Sequence, residues 1–479
     1  MRLHRALFAV VSVGFLGQGC GGSSDDPGDS STAGSPSGAN AGASAGVAGV
    51  AGAAGAAGNG GSPQAGAPSN GGTTAGGAGL SAGGNGGMGA TAGGAMGAAG
   101  AAGKASGGSE AGSGAAAGSG GKPAGGGGQP SAGSGGGTND DGPCPVPSYI
   151  GSDPKPIGWA SQGSGTSGGG AAQPILVTTL TQLKSEVSGN TPKVIYVQGD
   201  FEPSSISFGS NKTIIGCSPG ARLQGHLGIG SSSSNLIFRN LKVSGYGVGD
   251  CSKDPSFDAS EGCSSGQDAI SVNGSAHHVW FDHCAIMDGT DGNLDITNDA
   301  DFVTVSFTKF SYTPRTDNTG NDSTGAAGHR FSNLVGGTDD PPSGWPSTRP
   351  LNVTWHHNWW ADGVVERQPR VRYGRNHLFN NYYSSSVSNY CVRAGIEASI
   401  LLEANYFDGV DSPHQFNSSA NEKTAFIALG AGDRANTYAS TSGDKVSSGG
   451  GSAFTPPYTY EPDAASSVPA TVKANAGPH

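Results

Sequence analysis

The sequence predicts an all-β fold: a right-handed parallel β-helix with a short N-terminal capping helix, preceded by a disordered Gly/Ala/Ser-rich linker. Two observations carry that prediction. Short segments of alternating apolar residues recur in the C-terminal two thirds of the chain, and their bends return at a nearly constant interval. The 88 glycines among 479 residues, by contrast, crowd ahead of Pro143, where almost no large apolar side chain stands.

The first element is residues 1–20. Arg2, His4 and Arg5 precede the apolar run Ala6 to Leu16 and then small residues, the layout of a secretory signal. The run is too short to span a bilayer as a permanent helix. Leu16-Gly17-Gln18-Gly19-Cys20 resembles a bacterial lipoprotein signal with Cys20 as the lipidated residue, although the leucine stands four places before the cysteine rather than three. Plain secretion with an incidental Cys20 is the alternative. The expected location is outside the cell, either free or on the extracellular face of an outer membrane through a lipid at Cys20.

Residues 21–142 follow as the linker, because Gly, Ala and Ser cannot bury enough apolar surface to offset ordering entropy. As a tether it would have an end-to-end distance of roughly 60 Å. Residues 143–479 are long enough for one large all-β domain, expected to be a monomer.

That domain holds Cys144, Cys217, Cys251, Cys263, Cys284 and Cys391, and an even number in an exported chain suggests disulfides. Cys251 and Cys263 bracket a polar loop and make the expected local bridge. Cys217 and Cys284 read equally well as free core residues. The formal charge of −11 argues against nucleic acid as a partner. A polyanionic substrate would need a cation or a local arginine cluster to mediate contact.

The repeat comprises Asn235–Val243, His278–Ile286, Asp301–Phe310, Arg330–Val335, Asn352–Trp360, Asn376–Tyr383 and Ser399–Phe407. Its bend residues, His283, Thr308, Asn333, Asn358, Asn381 and Asn405, stand about 25 positions apart. Period-two alternation signals strands, and so short a unit has no room for a crossover helix. Strands joined by turns in coils of this length stack into a parallel β-helix; a β-sandwich would space its strands nearer ten residues. Asparagines at equivalent bends would hydrogen-bond from coil to coil as a ladder. Val177 to Val187 reads as the capping helix, with Thr179 or Thr181 at its N-cap.

Two constellations carry chemistry. Asp268 lies one coil before Asp291 and Asp295, and stacking would bring the three carboxylates to one face. Converging carboxylates repel unless a cation is present, and hard oxygen ligands suit calcium. Spacing alone leaves open that they are solvated loop acids. The second is Glu366-Arg367-Gln368-Pro369-Arg370-Val371-Arg372, where alternation places Arg370 and Arg372 on the same side and Pro369 fixes the chain beside Arg367. Guanidinium groups offer two-point contacts to carboxylates, as a uronic acid chain would need. His356-His357 and Asp282-His283 read as structural, since strand neighbours point to opposite faces.

Four blocks resemble the signature of pectate lyases of polysaccharide lyase family 1: Val279-Trp-Phe-Asp-His283, Asp291-Gly-Asn-Leu-Asp295, Val303-Thr-Val-Ser306 and Arg367-Gln-Pro-Arg-Val-Arg-Tyr-Gly374. The resemblance implies a calcium-dependent lyase that cleaves α-1,4-polygalacturonate by β-elimination to 4,5-unsaturated products. It implies that Asp268, Asp291 and Asp295 bind the calcium ion, that Arg367 is catalytic, and that Arg372 grips a substrate carboxylate. The family's substrate-binding lysine has no counterpart in His329-Arg-Phe-Ser-Asn-Leu-Val-Gly336, where Arg330 is the cation that stands in its stretch; Arg370 joins the substrate-binding set. An arginine base conflicts with a pKa above about 12, so Arg367 either loses its proton under bound substrate or stabilises the anion while hydroxide is the base. Competing readings are a pectin lyase on methyl-esterified chains, a hydrolase with an acid and a base carboxylate, and a non-catalytic polysaccharide-binding β-helix.

Overall fold

The computed structural model describes residues 138–139, 142–150, 155–218, 220–231, 233–314, 329–341, 343–345, 349–417 and 424–479. The expected signal and nearly all of the expected linker lie outside them. Among the described residues, three sheets of parallel strands run the length of a parallel β-helix. The first sheet begins with Pro174–Val177, Lys193–Val197 and Lys212–Gly216, continues through Ser234–Arg239, His277–Asp282, Asp301–Ser306, Val353–His356, Arg375–Phe379, Ser399–Glu403 and Phe426–Leu429, and ends at Ser448–Gly449, which pairs antiparallel. The second and third share the long strand Ala221–Ile229. The second then stacks Ile270–Val272, Leu294–Ile296, Leu334–Val335, Arg370–Val371, Val392–Ala394 and His414–Phe416.

Alternation explains how each strand serves the stack. In Ala221–Ile229 every odd residue is buried and every even one half-buried, so one side of the strand feeds the interior. Equivalent inward residues then repeat from coil to coil. Phe310, Trp360, Tyr383, Phe407 and Tyr438 form one column of stacked rings, with centroids 5.4, 4.8, 4.4 and 5.3 Å apart.

The sharp bend from the first sheet to the third is made by residues in the left-handed region: Asn240, His283, Phe307, His357, Asn380 and Ala404, with φ between 44° and 57°. Side chains other than glycine and asparagine resist that conformation. Here it is supported by stacking of Tyr149 on His283, His283 on Phe307 and Phe307 on His357.

The asparagine ladder is present, with one member changed. Asn358 donates to Asn381, Asn381 to Asn405 and Asn405 to Asn436, each through both backbone and side-chain nitrogens. Asn333 is not in it. The coil between Thr308 and Asn358 is twice the usual length, since Val303 pairs with Val353 directly. Asn333 instead belongs to the second sheet's path, where its amide donates to the Arg367 carbonyl and its side chain accepts from Trp360 Nε1. Its even spacing in the sequence was coincidental, and Arg330–Val335 is likewise no strand of the first sheet.

The capping helix α1 spans Leu180–Val187, and Thr179 accepts the Gln182 amide as its N-cap. Its Leu183 and Val187 join the core. A second helix, α2, Val468–Asn475, packs Val468 and Val472 on Tyr382 of the third sheet. The expected bridge Cys251–Cys263 is formed. Cys217 is bonded to Cys144 rather than free, while Cys284 and Cys391 are buried thiols. The Cys144 bridge ties the segment around Val146–Pro147, which pairs with Thr138–Asn139, to the first sheet.

Candidate active site

Register brings the predicted carboxylates together. Ser271 faces Asp295 across adjacent strands of the second sheet, and the backbone of Ala269 donates to Gly292. Asp268 and Asp295 therefore flank residue 292, where a Cβ would lie 2.9 Å from Asp268 Oδ1 and 2.5 Å from Asp295 Oδ1. Only glycine leaves that space open. Asp291, next to it in the chain, donates its amide to the Gln267 carbonyl and places Oδ1 3.1 Å from His329 Nε2.

The carboxyls are under electrostatic stress. Burial pushes Asp268 up to about 7, with the Asp291 charge adding to the rise and the Ser271 hydroxyl and Arg367 opposing it. Asp295 is held well above the usual carboxylate range, first by burial and then by Asp268, again against Arg367. Asp295 Oδ1 accepts the Leu334 amide at 2.9 Å and Asp268 Oδ2 the Ser271 hydroxyl at 2.6 Å. Asp268 Oδ1 is enclosed without a hydrogen-bond donor.

Among the described residues, no group of three or more His, Cys, Asp or Glu side chains is arranged so that it could hold a metal ion as it stands. The three aspartates nevertheless fit a hard dication on other grounds. They are oxygen donors only, one oxygen is enclosed and unsatisfied, and two of the three are raised by burial first and by their neighbours' charges second, a cost that a bound cation would offset.

Arg367 faces this group. It is 2 % exposed, takes φ of 57°, and holds its guanidinium 4.9 Å from the centre of the Phe331 ring. Its carbonyl accepts the amide of Asn333, whose chain neighbour Leu334 donates to Asp295, and its charge lowers both Asp268 and Asp295. Arg370 lies on the outer side of the second sheet, between Leu334 and Arg393. Burial first, then the charges of Arg372, Arg367 and Arg393, pull it below its ordinary value against the effect of Tyr390. Arg372 donates Nε to Asp339 at 2.8 Å and Nη1 to the Gly336 carbonyl at 2.9 Å. Arg330 directly precedes Phe331, and its carbonyl accepts the Val365 amide.

Sequence reading missed several neighbours. Arg393, over the Tyr390 ring at 4.9 Å with Nε enclosed and unpartnered, continues the arginine row by one coil. His329 and Phe331 stood inside a stretch read for its repeat spacing, its lack of lysine and Arg330. Asp282 and His283, expected to point apart, meet at 3.0 Å because the chain turns at His283. Asp282 also binds Arg239 and Ser306, a structural role. His356 and His357 meet through Nδ1 at 3.0 Å for the same reason, and each stacks on a phenylalanine.

Comparison with known proteins identifies the family. The family profile described as pectate lyase matches residues 152–479. A pectate trisaccharide-lyase of Thermotoga maritima is 31% identical over 232 residues, which are 47% of this chain and 54% of the relative, so the chain spans about half that relative's length. Pectate lyase A of Aspergillus niger is 30% identical over 313 residues, 63% of this chain and 80% of the relative. The crystal structure of a pectate lyase from Bacillus sp. N165 in complex with trigalacturonate shares the fold, with a TM-score of 0.50 at 24% identity over 67% of this chain and 98% of that one. With a family match over residues 152–479, the chain belongs to the pectate lyase family.

Proposed function

We propose that this protein is a calcium-dependent pectate lyase that cleaves polygalacturonate by β-elimination and is exported from the cell on its linker, either free or anchored by a lipid at Cys20. The observation that supports it most is the pair of raised carboxyls, half-buried Asp268 and buried Asp295, with the buried guanidinium of Arg367 acting on both. Asp268, Asp291 and Asp295 would hold the ion. When bound, calcium would offset two of the three carboxylate charges and withdraw electrons from a substrate carboxylate, so that the adjacent C5 hydrogen becomes more acidic.

The remaining work falls to side chains. Arg367, fixed against Phe331, acts at the C5 hydrogen, either as the proton acceptor or as the cation that holds the developing negative charge while hydroxide takes the proton. The C5–H bond breaks, its electrons form the C4–C5 double bond, and the C4 oxygen leaves with the other half of the chain and takes up a proton. Arg370, Arg372 and Arg393 provide the positive charge that an acidic protein needs to receive a polyanion. Arg330 stands where the family's lysine is absent.

The test is ultraviolet absorbance of unsaturated uronide during incubation with polygalacturonate. Absorbance should rise, stop with a chelator, and resume when calcium is restored. Activity indifferent to the chelator and higher on fully methyl-esterified chains would favour a pectin lyase; new reducing ends without absorbance would indicate a hydrolase.

A further inference from the structure

We propose that Asp254, carried on the loop closed by the Cys251–Cys263 disulfide, is a positioning residue that holds the Gln267–Asp268 backbone in place for cation capture by Asp268. The inference rests on the cation reading above and extends it to a loop that the reading does not use.

Asp254 is 4 % exposed, and both of its carboxylate oxygens are engaged. Oδ2 accepts the Gln267 amide at 2.8 Å; Oδ1 accepts the Ser256 amide at 2.8 Å and Gln267 Nε2 at 3.4 Å. It is therefore a support and not a ligand. The Gln267 carbonyl in turn accepts the amides of Thr290 and Asp291. One residue thus joins the loop on one side to the segment bearing Asp291 on the other. The next peptide is fixed as well: the Asp268 carbonyl lies 2.9 Å from His226 Nδ1, and its Oδ2 takes the Ser271 hydroxyl. Asp268 Oδ1 alone is left over, beside Gly292.

The loop's closeness to this ledge depends on Gly266. A Cβ there would lie 2.1 Å from Thr290 Cγ2 and 3.0 Å from Asp254 Oδ2. The loop also keeps its own shape. The Asp258 amide donates to Ser265 Oγ, the Gly262 amide to the Asp258 carbonyl, and the Asp254 amide to the Cys251 carbonyl. Both bridged cysteines are buried, at 0 and 1 % exposure. Closing the loop covalently restricts its opened forms, so the bridge keeps Asp254 seated against Gln267.

Supporting groups of this kind typically change metal affinity by about 10–100-fold when removed. The experiment titrates calcium chloride by isothermal calorimetry into the chelator-stripped full chain, its Asp254→Ala and Asp254→Asn variants, and a Cys251→Ser/Cys263→Ser double variant. Melting curves in chelator check that each is folded. Affinity should fall about tenfold or more in Asp254→Ala, and less in Asp254→Asn, whose amide oxygen still accepts the Gln267 N–H. It should fall also in the cysteine double variant. Parental affinity in Asp254→Ala overturns the proposal; so does an Asp254→Asn as weak as Asp254→Ala, since charge rather than position would then be at work. If Asp254→Ala does not fold, parental affinity in both other variants overturns it equally. A parent chain that binds no calcium at all defeats the cation reading itself, whereas binding that no variant alters defeats only the support assigned to Asp254.

Discussion

Asp268 and Arg367 are the two residues whose surroundings make the sharpest demands. A carboxyl raised to about 7 in the fold and titrating near 3.9 when unfolded keeps its proton in the native state over a range where the unfolded chain has lost it. The native state then binds more protons than the unfolded one, so this group lowers stability as pH rises from about 4 to about 7. Asp268→Asn removes that cost. In chelator, the variant should melt above the parent at pH 8 and level with it near pH 4, and calcium should raise the parent's melting temperature at pH 8 but not the variant's. Differential scanning fluorimetry checks both. Arg367→Lys keeps a positive charge but loses the planar fork. Activity should drop by about 10²–10³-fold, the scale for removing one preorganised donor, with calcium affinity unchanged by calorimetry.

At the scale of single elements, the bends matter more than the strands. Asn381 bonds forward to Asn405 and accepts from Asn358, all of it buried. Asn381→Ala leaves the Asn358 amide group without its partner, which should cost about 1–3 kcal/mol and appear as a lower urea midpoint with an unchanged slope. Much of this was legible. The alternation in His278–Ile286 or Ser399–Phe407 gave strands, Thr179 gave the start of α1, and the Asn358, Asn381 and Asn405 spacing gave the ladder. Asn333 misled because a doubled coil also lands near a multiple of the common interval, and spacing cannot tell one long coil from two short ones. The left-handed bends were hidden too: His283 and Phe307 have no intrinsic taste for that conformation and are held in it by stacked rings, while Ala404 is held by backbone hydrogen bonds to the Arg434 carbonyl and from the Asn380 side chain. Among site residues, the aspartates and Arg367 stood out by type and motif, whereas Asp254 and Arg393 act through contacts that only the stack creates.

For the whole molecule, buried imidazoles set the acid limit. His356 is pushed well below its ordinary value, by burial first and then by His357, and its Nε2 is enclosed without a partner. His377 is lowered chiefly by burial, against the pull of Glu403. Such groups are neutral when folded and charge at about 6.5 when unfolded. Their contribution is intact above that pH and is lost as pH falls below it. In an Asp268→Asn/Asp295→Asn background, which removes the two raised carboxyls of the site, the melting temperature should decline from pH 7 to pH 5, and His377→Gln should flatten the decline.

The second sheet stacks Asp295, Leu334, Arg370, Arg393 and Gln415 at equivalent places on successive strands. Neighbouring strands lie about 4.8 Å apart, so the row works as a ruler with one graduation per turn of the solenoid. A linear polymer whose monomer advances by a similar step can meet a fresh graduation with each unit. Gain or loss of a complete turn would lengthen or shorten the scale while leaving every other mark where it was.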